Sequence, residues 1–381
     1  ELEPKDSRGV YKNINVDMRQ FKRLRMFLHA EDSQFQGLND GEIVAFLRLG
    51  NDLSENYYQV EIPLQVSPQT SLDPELVWPE LNEINIPISA FETIKSFSII
   101  NGNLGSDVPV FYNLYGDDVI EEPVSEFSFL EFGNQRVSIK GNPNFGDVRT
   151  LMVGVKNPSQ DNMDVCSEVW FNELRLSEMD NDGGWAATLA IDSNFADFLN
   201  FSATARQSTS GFGNLEQGPS ERDKEDKKQY DLVTSMNVGQ LFPEKWGLTI
   251  PFNYSAGEEL IIPEYDQQYR DIRLNSVLDL ADNQVQRDII QSQSEDYTKR
   301  KNINFIGFNK QRVDEKKPSF YDIENLTINY SYNEIMHRDY EIENMLDQSI
   351  RAGVNYNFNF NSSKLEPCLL YTSDAADEVV S

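Results

Sequence analysis

Six stretches in the second half of the chain alternate apolar with small polar residues almost without a break. In the last of them Ile350, Ala352, Val354, Tyr356, Phe358 and Phe360 fall on one side of a strand, and Arg351, Gly353, Asn355, Asn357, Asn359 and Asn361 on the other. A period of two is the mark of β-structure. Greasy on one face and amide-lined on the other, with aromatics crowding one end, such a segment predicts a stave of a membrane β-barrel. Earlier staves are expected at Trp185, Ala187, Leu189 and Ile191, at Leu199, Phe201, Ala203 and Ala205, and at Leu232, Thr234, Met236 and Val238. Two more are expected at Trp246, Leu248, Ile250, Phe252 and Tyr254, and at Leu326, Ile328, Tyr330 and Tyr332.

On this reading Asn253, Ser331, Asn355, Asn357 and Asn359 face a wet lumen, and Trp246, Ile250, Leu326, Tyr356 and Phe358 face lipid. Long polar insertions are expected at 208–229 and 256–324, the second carrying a helix near Val277 to Gln291 that plugs a lumen or packs on a rim. The lysine-rich run from Lys224 to Lys228 reads as a solvated loop. Pro251 fits badly, because proline has no N–H to give a ladder and belongs at an edge or bulge. Six strands do not close a useful pore, and lipid does not tolerate an open edge, so further staves are expected elsewhere. Alternation by itself also describes a soluble sandwich, and a surface glycan-binding β-sandwich protein is the competing reading.

Residues 10–180 form a different unit, short β patterns divided by Gly, Asn, Asp and Pro turns, preceded by a linker at 1–9. Leu24, Met26 and Leu28 mark one strand, Ile43, Ala45, Leu47 and Leu49 a second, and Tyr58, Val60, Ile62 and Leu64 a third. Others are expected at Phe127 to Phe132, Arg136 to Lys140, Leu151 to Val155 and Val169 to Leu176. The pattern predicts a jelly-roll-like antiparallel sandwich. The fold class is all-β: this sandwich, then barrel strands over 185–367 that make an incomplete barrel.

A net charge of −30 over 381 residues opposes nucleic-acid phosphates, so nucleic acid is not an expected partner. No run of apolar residues is long enough for a spanning helix, which leaves strands as the way to meet a membrane. The two histidines, His29 and His337, lie in different units and advertise no catalytic or metal constellation. Glu168, Glu173 and Glu178 near a sandwich edge read as solvated acids before they read as a sugar site. Asp180 and Asp182 before Gly183 lack the remaining ligands of a calcium loop. No phosphate-binding glycine loop precedes a helix, and no cofactor, metal or enzymatic activity is expected. The segment Cys368-Leu-Leu-Tyr-Thr-Ser-Asp-Ala-Ala-Asp-Glu378 resembles a translated sequencing adapter, so 368–381 is set aside as foreign and the chain is expected to be a fragment. Cys166 is then the one native cysteine expected.

Several ordered motifs carry a family likeness. They include Gly9-Val-Tyr-Lys-Asn-Ile-Asn-Val-Asp-Met-Arg19, Arg25-Met-Phe-Leu-His-Ala-Glu31, Arg48-Leu-Gly-Asn-Asp52, Asn56-Tyr-Tyr58 and Val77-Trp-Pro79. Further along come Gly141-Asn-Pro143, Glu168-Val-Trp-Phe-Asn-Glu-Leu-Arg175, Gly184-Trp-Ala-Ala187, Phe242-Pro-Glu-Lys245, Ile250-Pro-Phe252 and Pro263-Glu-Tyr-Asp266. Together they resemble the SprA/Sov family of Bacteroidota, and the likeness covers 1–367. That resemblance implies a very large outer-membrane β-barrel, interrupted by extramembrane domains, that serves type IX secretion and gliding motility as a translocon. It implies as partners cargo proteins with a C-terminal secretion domain, other type IX components and outer-membrane lipid.

Overall fold

The computed structural model describes residues 1–32, 37–68, 73–159, 164–218, 221–281, 283–315 and 317–360. Asn361 and the adapter-like segment 368–381 lie outside the described residues.

The fold is all-β and antiparallel throughout. Its first unit sets two sheets against each other. One holds β1 (Ser7–Val16), β3 (Val44–Gly50), β4 (Tyr57–Pro63), β6 (Val110–Tyr115), β7 (Asp118–Val124), β8 (Gln135–Lys140) and β9 (Val148–Lys156), in the order β1-β9-β3-β4-β8-β6-β7. The other holds β10 (Glu168–Met179), β2 (Phe21–Glu31) and β5 (Ile84–Pro87), in that order. Two helices, α1 (Pro74–Val77) and α2 (Ser89–Ile100), join the sandwich. Alternation places Leu24, Met26 and Leu28 opposite Ala45, Leu47, Leu49, Tyr58, Val60 and Ile62, all buried in one cluster with Phe91 and Ile94 of α2. Burial of that apolar surface is the main stabilising term for the unit.

The outer face of β4 is covered as well, and there the chain buries charge. Glu61 takes Lys156 at 2.6 Å and lies 3.3 Å from Arg136, and the amide of Gln59 donates to it. Phe111 lies under both cations. The cover comes from 125–134, where a strand over Phe127 to Phe132 was expected. This segment is instead a pair of turns: Ser125 accepts from the amide and hydroxyl of Ser128, and Arg136 binds the Ser125 carbonyl. Phenylalanines spaced by two residues imitate a strand, but Gly133, with a positive φ, and the Ser125 turn bend the backbone away. α2 escaped the β-oriented reading because its apolar face is short, although Ala90, Phe91 and Ile94 carry helical spacing.

The second unit is one open sheet. It runs as a meander through β11 (Ala186–Phe195), β12 (Leu199–Ser208), β13 (Glu225–Asn237), β15 (Pro251–Pro263), β16 (Asp296–Lys310), β17 (Leu326–Arg338) and β18 (Met345–Tyr356), with the short β14 (Leu248–Thr249) on β16. β11 and β18 are its two edges; the sheet does not close among the described residues.

Two expectations are corrected here. The insertion at 256–324 is not one loop, because β15 continues to Pro263 and all of β16 lies within it, leaving 264–295 to carry α3 (Leu274–Asp279) and α4 (Gln284–Ser294). The lysine-rich run is largely strand, because β13 begins at Glu225. Hydrophobic periodicity missed β16 because cross-strand ion pairs stand where apolar pairs were sought, and it missed the start of β13 because charge there pairs along the strand, Lys227 with Glu225 at 2.7 Å. Lys299 binds Glu258 at 2.8 Å and Arg300 lies 3.5 Å from Glu259, on strands in register. Pro251 opens β15 just after β14 breaks off. Opposite it Gly307, with φ +85°, is the extra residue of a bulge in β16, as a proline in a sheet requires.

The core assignment makes a contrast measurable by urea unfolding followed through tryptophan fluorescence. Leu47→Ala should cost about 2–5 kcal/mol, whereas Phe129→Ser, on an exposed turn, should stay within about 0.5 kcal/mol. Equal effects would mean that Phe129 belongs to a strand.

Candidate functional site

Strand register divides the open sheet into two chemically distinct faces. Asn253 pairs with Asn304, Asn304 with Ser331 and Ser331 with Arg351, and two residues along Ser255 pairs with Asn302, Asn302 with Asn333 and Asn333 with Ser349. Directly paired residues share a face. On the opposite face Met236, Phe252, Phe305, Tyr330 and Ala352 form one row, and Ile328 with Val354 and Leu326 with Tyr356 follow. Among the described residues no protein layer covers this apolar face: Ile350 and Val354 are each 65% exposed and Leu189 is 61% exposed. A monomer in water rarely leaves so wide an apolar surface bare.

Of the residues expected to face water, Asn253, Ser331 and Asn355 lie on the polar face. Of those expected to face lipid, Leu326 and Tyr356 lie on the apolar one. The register thus brings the two sets to opposite sides. Asn357, Phe358 and Asn359 follow β18, with the Asn357 amide still bonded to the Asn325 carbonyl. Ile250 sits in the break between β14 and β15. Trp246 caps a tight turn at the sheet's far end and stacks on Phe242, centroids 5.7 Å apart. Exposed Phe320 and Tyr321 flank the neighbouring connection, so aromatics gather at that rim. At the other end the apolar face gives way to Tyr230, Glu258, Lys299 and Glu334. Among the described residues no helix is long and apolar enough to cross a membrane.

Sequence reading did not reveal how sandwich and sheet are joined. The 264–295 connection leaves β15 and folds onto the sandwich, burying Ile272, Leu274 and Leu278. Its tip is tied by Asp266, which accepts from the amides of Gln268 and Tyr269 while its own amide bonds the Ile272 carbonyl. The tie presents Asp271, 0% exposed, to the sandwich interior. Lys95 of α2 donates to Asp271 Oδ1 at 2.5 Å, and the Tyr58 hydroxyl donates to Oδ2 at 2.9 Å. Lys95 also donates to the Pro143 carbonyl at 2.8 Å. Gly141 sets up that carbonyl, because its φ of +66° and its close approach to the Glu55 carbonyl leave no room for a side chain.

Burial pushes the Lys95 ammonium below its usual range against the pull of Asp271, and burial with the same carboxylate holds the Tyr58 phenol well above its own. Around this latch lie surface pairs: Arg19 with Asp17, Lys224 with Asp17, and Arg273 with Asp180. A polar cavity of about 380 Å³ opens between them, lined among others by Arg222, Asp223 and Glu264. Asp180, weighed as a calcium ligand, is engaged by Arg273 here.

The other candidate residues are dispersed. His29 is buried between Trp78 and Trp170, with Nδ1 against the Val77 carbonyl, and His337 bonds Thr298 and Asp339 on the sheet. Glu168, Glu173 and Glu178 lie along β10, where Glu168 accepts from the Trp170 indole and Glu173 and Glu178 adopt positive φ. Among the described residues no group of three His, Cys, Asp or Glu is placed to hold a metal ion.

Two outcomes test the latch. Lys95→Met and Asp271→Leu should each cost about 3–5 kcal/mol, while the double variant recovers most of that loss. Simple additivity would show that the pair is uncoupled. Glu92, beside Arg273, Asp271 and Glu264, is pushed up to about 7 from 4.5, first by burial. Its folded form therefore prefers the proton: the stabilisation is complete below about 4.5 and is lost as pH rises through 7. Thermal unfolding should find Glu92→Gln more stable than the native chain at pH 8 and equal to it at pH 4.5, and a pH-independent difference would refute the assignment.

No curated protein matches the chain. A family model does, running unbroken from the sandwich across β11 to β15 and through the latch into α3. Residues 1–278 match SprA_N, described as motility related/secretion protein, and the chain belongs to that family.

Proposed function

We propose that the open sheet is a section of the wall of an outer-membrane protein-conducting pore, the translocon of type IX secretion, needed for gliding motility and for export of cell-surface proteins. The apolar face meets lipid, the polar face lines the lumen, and the sandwich is an extramembrane domain set on one rim. Cargo proteins with a C-terminal secretion domain pass through, and other type IX components supply the energy. The chain itself performs no enzymatic step.

The observation that carries this reading is the uncovered apolar face on strands of ten to fifteen residues, backed by a mainly polar face. About nine to eleven tilted residues span the hydrocarbon core, so the strands are long enough. The excess length is charged and lies toward the sandwich, where it stands clear of the bilayer. Membership of a secretion family adds independent support.

The test compares the two faces of one strand in the native envelope. Ala352→Lys, paired with Tyr330 in the middle of the apolar band, should cost about 2–4 kcal/mol and reduce membrane assembly, while Asn355→Lys remains mild. Equal tolerance at both positions would end the proposal.

A further inference from the structure

The polar face has a chemical bias that a merely wet surface does not need. Asn253, Ser255, Asn302, Asn304, Ser331 and Asn333 make two adjoining rows across β15, β16 and β17, and all six carry neutral amides or hydroxyls. The rows are knitted together: the Asn302 amide donates to the Ser255 hydroxyl at 3.0 Å and the Ser331 hydroxyl to the Asn304 carbonyl oxygen at 2.6 Å. Charge on this face stands at the ends of the two rows, Asp192 on β11 and Arg351 on β18, and in the rows toward the sandwich at Arg206, Asp231, Glu259, Arg300 and Asp347.

Asparagine is a poor strand former, more depleted in strands than Lys or Glu, whereas Thr is enriched there. One quarter of this chain is charged, so charged residues were not scarce. A position that accepts a propensity penalty in order to stay both polar and neutral is under another constraint. Charges on a confined wall attract oppositely charged segments and hold them, more strongly where walls exclude bulk water and salt. Neutral amides and hydroxyls bind water and exchange it readily, with no preference for either sign.

We infer that the Asn and Ser rows on β15–β17 form a charge-indifferent lining over which polypeptides of either net charge slide without being retained. The inference rests on the pore reading and adds the property that decides which cargo passes.

The experiment uses the native full-length chain in its own envelope and two folded reporters of opposite net charge bearing the same secretion signal. The native lining should export both at rates within about twofold of each other. Asn304→Cys, labelled after assembly with a cationic thiol reagent, should slow the acidic reporter about fivefold and spare the basic one, and an anionic reagent should reverse the order. Neutral labelling of the same size should slow both alike. The inference fails if the native protein already separates the reporters, or if either charged label leaves both rates equal. Because charge arrives after assembly, these outcomes do not depend on folding of a charged variant. If Ile303→Lys, on the opposite face, assembles as well as Asn304→Lys, the pore reading fails instead.

Discussion

A carboxylate sealed inside a protein must find its counter-charges there, and Asp271 finds them in a unit to which it does not belong. It is carried by the connection between β15 and β16, yet it lies fully buried against Lys95 and Tyr58 of the sandwich. Without it, Lys95 would keep the Pro143 carbonyl and the face of Tyr269 for a buried ammonium. Removing one member of a buried pair is far more damaging than the net worth of the pair, so the contact behaves as a lock rather than as glue. The lock fixes the rim of the sheet to the sandwich, and the pairs of Arg19, Lys224 and Arg273 surround it.

The open sheet solves the opposite problem. The sandwich buries residues such as Leu24, Leu47 and Val60 in a core of its own, whereas the sheet leaves a row such as Phe252, Phe305, Tyr330 and Ala352 without a covering layer among the described residues. Strands longer than the apolar band explain why charge and grease coexist on one face. Tyr254 and Phe305 lie in the band, and Glu258 and Lys299 follow on the same strands nearer the sandwich. The two units therefore differ in kind: a buried apolar core on one side and a surface that needs a different solvent on the other.

Much of this was legible in the residues. Leu24, Met26 and Leu28, or Tyr58, Val60 and Ile62, declare their strands because one face is core and the other is not, and the same rule separated Asn253 and Ser331 from Leu326 and Tyr356. Periodicity failed where the partner across the strand carried the information, as for Lys299 opposite Glu258 in β16. It failed the other way at Phe127 to Phe132, where aromatic spacing had no strand beneath it. The latch was invisible for a deeper reason. Asp271 and Lys95 are 176 residues apart, and one acid among 63 has nothing local to distinguish it.

That separation also orders the assembly. Contacts distant in sequence cost loop-closure entropy before they return any energy, so the sandwich cannot complete the surroundings of Lys95 by local steps. The connection that bears Asp271 is a closed, presentable loop once β15 has paired with β16 and the Tyr265–Arg273 bridge has formed. Until then α2 holds a lysine that is better solvated than buried, which favours a loosened α2 and leaves Tyr58 without its acceptor. A sandwich isolated from the sheet would thus lack part of its own interior, and its final packing follows from formation of the sheet rather than preceding it.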